Sequence, residues 1–129
     1  MKSLVTGIEH VAIFARDTKR LTQWYVENLD ARIVYENEDV YFVAFSDNSM
    51  IEFCTSPDDK CEYPYFDKSG IRHIALTVDN FYETSAKIRG TGAEIIKDTS
   101  ITAGGVKTMF FRDPEGNILH LISRETPIV

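Results

Sequence analysis

A chain of 129 residues, 43% apolar and 26% charged, has the size and composition of an ordinary globular domain that can bury a core without disulfide staples. Its formal net charge of −6 argues against a nucleic-acid partner, which needs a basic surface. No apolar run approaches the roughly 18 residues that span a bilayer, and the first residues lack the regions of a signal peptide, so no membrane partner and a cytoplasmic location are expected. Two cysteines, Cys54 and Cys61, make no disulfide framework and are expected to be free thiols.

In chain order, Gly7-Ile8-Glu9-His10-Val11-Ala12-Ile13 reads as a strand with a histidine set among apolar neighbours. Asp17 or Thr18 caps a helix to about Asn28, with Leu21, Trp24, Tyr25 and Leu29 at helical spacing as its core face. Ala31 to Tyr35 and Val40 to Phe45 are rich in β-formers and read as strands. Ser46-Asp47-Asn48-Ser49 is a turn and Met50 to Cys54 a further strand. Thr55 to Ser69 shows no periodicity and reads as a linker, in which Tyr63, Tyr65 and Phe66 could cover a cavity.

The second half gives the same order. Gly70-Ile71-Arg72-His73-Ile74-Ala75-Leu76-Thr77-Val78 is a strand, and Asn80 with Glu83 forms a capping box that opens a helix ending at Gly90. Ala93 to Lys97 is a strand, and Thr99 to Gly105 is expected to be a flexible loop. Val106 to Arg112 and Asn117 to Ser123 are strands about the turn Asp113-Pro114-Glu115-Gly116. Gly, Ile, His and Ala recur in register between Gly7 and Gly70, 63 positions apart, the mark of an internal repeat. The chain is thus expected to be one α+β domain, 1–129, of two tandem βαβββ modules, 7–54 and 70–124, joined by the linker 55–69.

The only three histidines are His10, His73 and His120. The first two occupy equivalent places in the two repeats. His120, in Ile118-Leu119-His120-Leu121-Ile122, aligns with Glu52 in Met50-Ile51-Glu52-Phe53-Cys54. Four metal-competent side chains therefore occupy repeat-related positions of otherwise apolar strands, and a pseudo-twofold axis would bring them together. Imidazole and carboxylate suit one divalent ion, zinc, nickel, cobalt, manganese or iron, and an ion offsets the cost of burying Glu52. A single strand histidine is more often a hydrogen-bonded core residue; four such groups at symmetric positions favour the metal. Gly104-Gly105 lacks the Lys-Ser/Thr of a phosphate loop, and Cys54, on the strand face of Glu52, reads best as a small buried hydrophobe.

The paired histidine strands, Ile51-Glu52-Phe53 and Phe111-Arg112-Asp113-Pro114-Glu115-Gly116-Asn117 resemble the vicinal-oxygen-chelate superfamily over about Gly7 to Arg124. The resemblance implies βαβββ modules curved into a half-open, barrel-like cleft around one ion, a small-molecule substrate, and a homodimer that can exchange modules. Within the superfamily, Ile71 to Val78 and Met50 to Phe53 are most similar to the ligand strands of glyoxalase I. That likeness implies a metal-dependent lyase or isomerase that transfers a proton by way of a metal-stabilised enediolate, with His10, Glu52, His73 and His120 as ligands; Glu52, whose carboxylate has a second oxygen where a ligating imidazole has no lone pair to spare, is then expected to be the catalytic base. His120 stands where that family usually has glutamate, and Phe14 where the short glyoxalases have an arginine for glutathione. A metal-dependent dioxygenase and a ligand-sequestering protein like the bleomycin-binding members are the alternatives.

Overall fold

The computed structural model describes residues 3–57 and 69–129. The chain forms two compact units, Met1–Lys60 and Cys61–Val129. In the first, strand β1 (His10–Ala15) leads into helix α1 (Thr18–Leu29), followed by β2 (Arg32–Glu36), β3 (Val40–Ala44) and β4 (Met50–Thr55). In the second, β5 (Ile74–Thr77) leads into α2 (Phe81–Gly90), then β6 (Ile95–Ile101), β7 (Lys107–Arg112) and β8 (Ile118–Ser123). The strand orders are β1-β4-β3-β2 and β5-β8-β7-β6, two copies of one βαβββ topology, so the fold is α+β as expected.

The repeat extends to individual residue pairs. β1 runs parallel to β4 with Ala12 opposite Glu52, and β5 runs parallel to β8 with Ala75 opposite His120. β3 sets Phe42 across from Glu52, and β7 sets Phe110 across from His120. Both outer strands break register at the same point, between Ile33 and Tyr35 and between Ile95 and Lys97. A shared irregularity of this kind re-aims side chains and raises local twist, so it belongs to the design of the module.

Local chemistry explains the shared punctuation. The side chains of Asp17 and Asn80 accept hydrogen bonds from the backbone N–H groups of Arg20 and Glu83, satisfying a donor that each helix start leaves unpaired. The hairpin turns close identically, Phe45 N–H to the Ser49 carbonyl and Asp113 N–H to the Asn117 carbonyl. Asn48 and Gly116 take the positive φ that each turn needs. Asp113 further accepts from the Glu115 and Asn117 backbone N–H groups and the Asn117 amide.

Each sheet buries one face under its helix. In the first unit Leu21 and Tyr25 of α1 lie on Val43, Ile51 and Phe53, all fully or almost fully buried, with the Tyr25 and Phe53 rings 4.8 Å apart. Trp24 and Leu29, expected on this stripe, are only half-buried, and Thr18 and Thr22 are buried instead. In the second unit Phe81 and Ile88 join Met109, Phe111, Leu119 and Leu121. Alternation along β4 and β8 then turns Glu52 and His120 to the opposite face.

Three expectations need correction. The first strand of each unit begins later than its glycine: at His10, and at Ile74, so that His73 precedes its strand. Gly70 has φ +120, a conformation open only to glycine that takes the chain out of extended pairing, and the β5–β8 ladder starts at Ile74. Thr99 to Ile101 belong to β6, because Ser100 and Ile101 pair with Thr108 and Lys107. The loop after them is a closed turn, with Thr102 N–H bonded to the Val106 carbonyl and Gly105 N–H to the Thr102 carbonyl. Thr55 belongs to β4 rather than to the linker, while Cys61, Tyr63, Tyr65 and Phe66 lie outside the described residues.

Candidate metal centre

Each unit assembles a pair of the four expected ligands on the sheet face turned away from its helix. His10 Nε2 lies 3.6 Å from Glu52 Oε1, too long for a hydrogen bond. Two donors each roughly 2.1 Å from one ion stand roughly 3.0–3.4 Å apart at octahedral to tetrahedral angles, so this spacing needs little adjustment to receive one. The other ring nitrogen, Nδ1, is 3.0 Å from Glu9 Oε1. A proton on Nδ1 donated to that carboxylate leaves the Nε2 lone pair facing Glu52, which is how an outer carboxylate orients a ligating histidine. Phe42 stands edge-on to the His10 ring, centroids 5.2 Å apart.

In the second unit the His73 and His120 rings are 4.3 Å apart at 44°. Phe110 repeats the part of Phe42, with its centroid 5.2 Å from His73 and 4.5 Å from His120. His120 is 7% exposed, and both of its ring nitrogens are buried with no hydrogen-bond partner. His73 Nδ1 is buried and unpartnered as well. A buried polar nitrogen without a partner costs about 1–3 kcal/mol, and three such nitrogens lie close together here. Burial first, then the charges of His73, Arg72 and Arg124, bring the His120 pKa down to about 4. Burial, then Arg72, lowers that of His73. Both rings therefore keep their lone pairs near neutral pH, the form in which imidazole binds a metal.

Each pair offers donors of the kind a divalent ion takes: imidazoles beside aromatic rings, one carboxylate, and buried nitrogens of His73 and His120 with no hydrogen-bond partner. The structure brings together His10 with Glu52 and His73 with His120. Among the described residues no group of three or more His, Cys, Asp or Glu has the geometry to hold a metal alone. Cys54 is half-buried on the face of Glu52; burial first, then its hydrogen bond to Glu52, push the thiol pKa up, so it stays protonated and unreactive. Phe14, at the position of the expected glutathione arginine, is exposed. What residue patterns alone missed is the company of the candidate ligands, Phe42 and Phe110 across the strand and Glu9 and Arg72 beside the histidines. The repeated histidine segment carries a signal for Glu9 and Arg72, whereas Phe42 and Phe110 depend on strand register.

Known proteins share this architecture. The protein called "Probable lactoylglutathione lyase" of Vibrio parahaemolyticus is 27% identical, covering 92% of this chain and 91% of its own. Biphenyl-2,3-diol 1,2-dioxygenase 2 of Rhodococcus globerulus is 24% identical over 87% of this chain, which spans 60% of that enzyme. A glyoxalase family protein from Enterococcus faecalis has a crystal structure that superimposes with TM-score 0.77 at 27% identity, covering 94% of this chain and all of the other. At 15% identity the fosfomycin resistance protein FosX of Listeria monocytogenes, solved with Mn(II) and sulfate, shares the fold, with TM-score 0.74 and 94% and 92% of the two chains covered. No helix among the described residues is long and apolar enough to cross a membrane. Residues 7–121 match the sequence model of the Glyoxalase/Bleomycin resistance protein/Dioxygenase superfamily, and the chain belongs to that family.

Proposed function

We propose that the protein is a metal-dependent enzyme of the glyoxalase I type, a lyase or isomerase that moves a proton on a small oxygenated substrate. His10, Glu52, His73 and His120 would hold one divalent ion, zinc, nickel or cobalt first, with manganese or iron also compatible with three imidazoles and a carboxylate. The observation that carries the reading is the His73–His120 pair, three buried nitrogens without partners at positions equivalent to His10 and Glu52. Either pair alone is too few, since a catalytic ion takes about three protein ligands.

An ion held there supplies Lewis-acid stabilisation of the oxyanion that develops as a carbon-bound proton leaves, worth several kcal/mol. Glu52 takes that proton and returns it. An imidazole whose lone pair is committed to a metal cannot serve as the base, whereas a carboxylate has a second oxygen. The Glu52 side chain is 19% exposed, enough to meet a substrate, and Phe42 is its cross-strand neighbour. His120 is a ligand only. The Vibrio and Enterococcus relatives support this choice within the family.

Metal analysis of the purified protein comes first, followed by solvent deuterium exchange at the α-carbon of the methylglyoxal adduct of a small thiol. Glu52→Gln should abolish exchange with the metal still bound. Undiminished exchange in that variant would overturn the assignment of the base. Iron in the protein together with oxygen-consuming cleavage of a catechol would overturn the lyase reading in favour of a dioxygenase.

A further inference from the structure

The sheet of the first unit carries a row of side chains one step beyond Glu52. Side chains two apart on a strand share a face, so Cys54 lies on the face of Glu52, Phe14 on that of His10 and Val40 on that of Phe42. Strand register sets Phe14 and Val40 on either side of Cys54. Past Val40 comes Asn37, whose backbone N–H bonds the Val40 carbonyl. The Asn37 side-chain oxygen accepts from the Asp39 and Val40 backbone N–H groups, and its amide donates to the Tyr35 hydroxyl. Its polar atoms are thus spent on the turn, and the row offers a phenyl ring, a thiol and an isopropyl group. Phe14 is 68% exposed, while Cys54 and Val40 are half-buried.

The second unit builds the equivalent row from other chemistry. Thr77 and Thr108 flank Ile122, and Ser100 pairs with Thr108. Three hydroxyl residues stand where the first unit has Phe14, Val40 and Asn37. Topology does not account for the difference, because the two ladders agree in register. Stability does not account for it either, since a phenyl ring left two-thirds exposed buries little on folding. Two residues along a strand span roughly 6.6 Å, the reach of a ring-sized substituent on a molecule held at His10 and Glu52. We infer that the first unit receives an apolar substituent of the substrate, an aromatic ring above all, on Phe14, Cys54 and Val40, and that Phe14 selects it. The small Cys54 between two larger side chains leaves room for a flat ring, and a ring offset or edge-on to Phe14 gains beyond the area it buries. The inference rests on the reading of His10 and Glu52 as part of the substrate site. Phe14 is a specificity residue and takes no part in the proton transfer.

The test is binding to the zinc-loaded protein, whose zinc stoichiometry is measured separately. The probes are acetohydroxamate, benzohydroxamate and succinic monohydroxamate, which share two adjacent oxygens and differ in a methyl, phenyl or carboxyethyl tail. Benzohydroxamate should bind about tenfold tighter than acetohydroxamate, the effect of roughly 55 Å² of apolar surface removed from water, and the acidic tail should gain nothing. Phe14→Ala should abolish the preference and Phe14→Leu should keep part of it. Tyr82→Ala, which removes an exposed ring on α2, should leave it intact. Equal binding of the three probes, tightest binding of the acidic one, or a phenyl preference that survives Phe14→Ala overturns the inference. A protein that takes up no zinc removes the proposed metal centre, and the row is then read on the metal-free protein by NMR. Benzamide but not acetamide should shift the Phe14 and Val40 resonances, and no shift overturns the inference. A shift of the same resonances with protein concentration alone means that a second copy covers the row, and overturns it too.

Discussion

The two units differ where the backbone does not constrain them. They share strand order, ladder register, the bulge in the outer strand, the helix cap, the positive-φ residue of the hairpin and an aromatic ring against the histidine. They part at Glu9 and Arg72, at Glu52 and His120, and at Tyr35 and Lys97. The shared positions are buried, capped or conformationally restricted, so changing them costs stability. The divergent ones lie on the face that the helix does not cover, where charge can change without disturbing the core. A repeated scaffold can in this way present two half-sites of opposite character.

The sharpest break of this equivalence would come in the core. Phe53 and Leu121 hold matching places in β4 and β8 and are both 0% exposed. Phe53→Ala should cost about 3–5 kcal/mol and Leu121→Ala about 2–5 kcal/mol. Chemical denaturation measures both. A loss below about 1 kcal/mol at either position would mean that its unit contributes little to global stability.

Metal affinity should separate the units next. Alanine at His10, His73 or His120 should weaken zinc binding more than about 100-fold, beyond what loss of an outer partner does. Glu9→Gln should weaken it about tenfold, because Glu9 only orients His10. Among the described residues no carboxylate partners the buried ring nitrogens of His73 and His120, and Arg72→Gln should leave zinc affinity equal or improved. Competition titration against a chelator gives all five values. Full zinc retention by His73→Ala would sink the four-ligand site.

Acid should act through the second unit. His120 titrates at about 4 in the folded protein and near 6.5 when unfolded. Between those values the unfolded chain binds the proton and the native one does not, so stability falls as pH drops from about 6.5 to about 4. Each pH unit in that window removes at most about 1.4 kcal/mol on account of this group. His73 is shifted in the same direction and adds to the slope. Urea titrations of the metal-free protein at several pH values should show the slope, and His120→Phe should flatten it. An unchanged slope in that variant would refute the buried, unpartnered state of the ring.

Much of this was legible in the chain. The duplicated Gly-Ile-x-His-x-Ala pattern announces the repeat, Asn80 with Glu83 announces a helix start, and every histidine lies at a repeat-related position. The structure places His10 beside Glu52 and His73 beside His120. Strand starts were illegible because a glycine can open a strand or bend the chain before it, and only the ladder partner decides. Thr99 to Ile101 read as loop because polar residues beside a Gly-Gly pair resemble one, yet an outer strand accepts polar residues when its neighbour offers pairing. The aromatic walls were invisible for a related reason. Phe42 and Phe110 become neighbours of Glu52 and His120 only across the strand, through register that no local pattern states.

The smallest effect should appear at the hairpin turns, where the two units solve one problem with different residues. Asn48 has φ 69 and Gly116 has φ 90, and their backbone N–H groups donate to the Phe45 and Asp113 carbonyls. Glycine adopts this conformation without strain, whereas a residue with a β-carbon pays about 1–2 kcal/mol. Gly116→Ala should therefore destabilise by about 1–2 kcal/mol. The reverse exchange, Asn48→Gly, relieves the conformation but also removes the Asn48 side-chain oxygen, which accepts from Arg32 Nη2 at 2.6 Å in an exposed setting. An exposed contact of that kind is worth about 0.5–1 kcal/mol, close to the conformational gain, so the net change should lie within about 0.5 kcal/mol of zero. Arg32→Ala removes that contact together with the Nη1 bond to the Phe45 carbonyl, and leaves Asn48 itself in place. If Asn48→Gly and Arg32→Ala both cost more than about 1 kcal/mol and their double variant costs no more than either, the arginine bridge holds the first hairpin and the backbone equivalence of the two turns fails as an account of their stability.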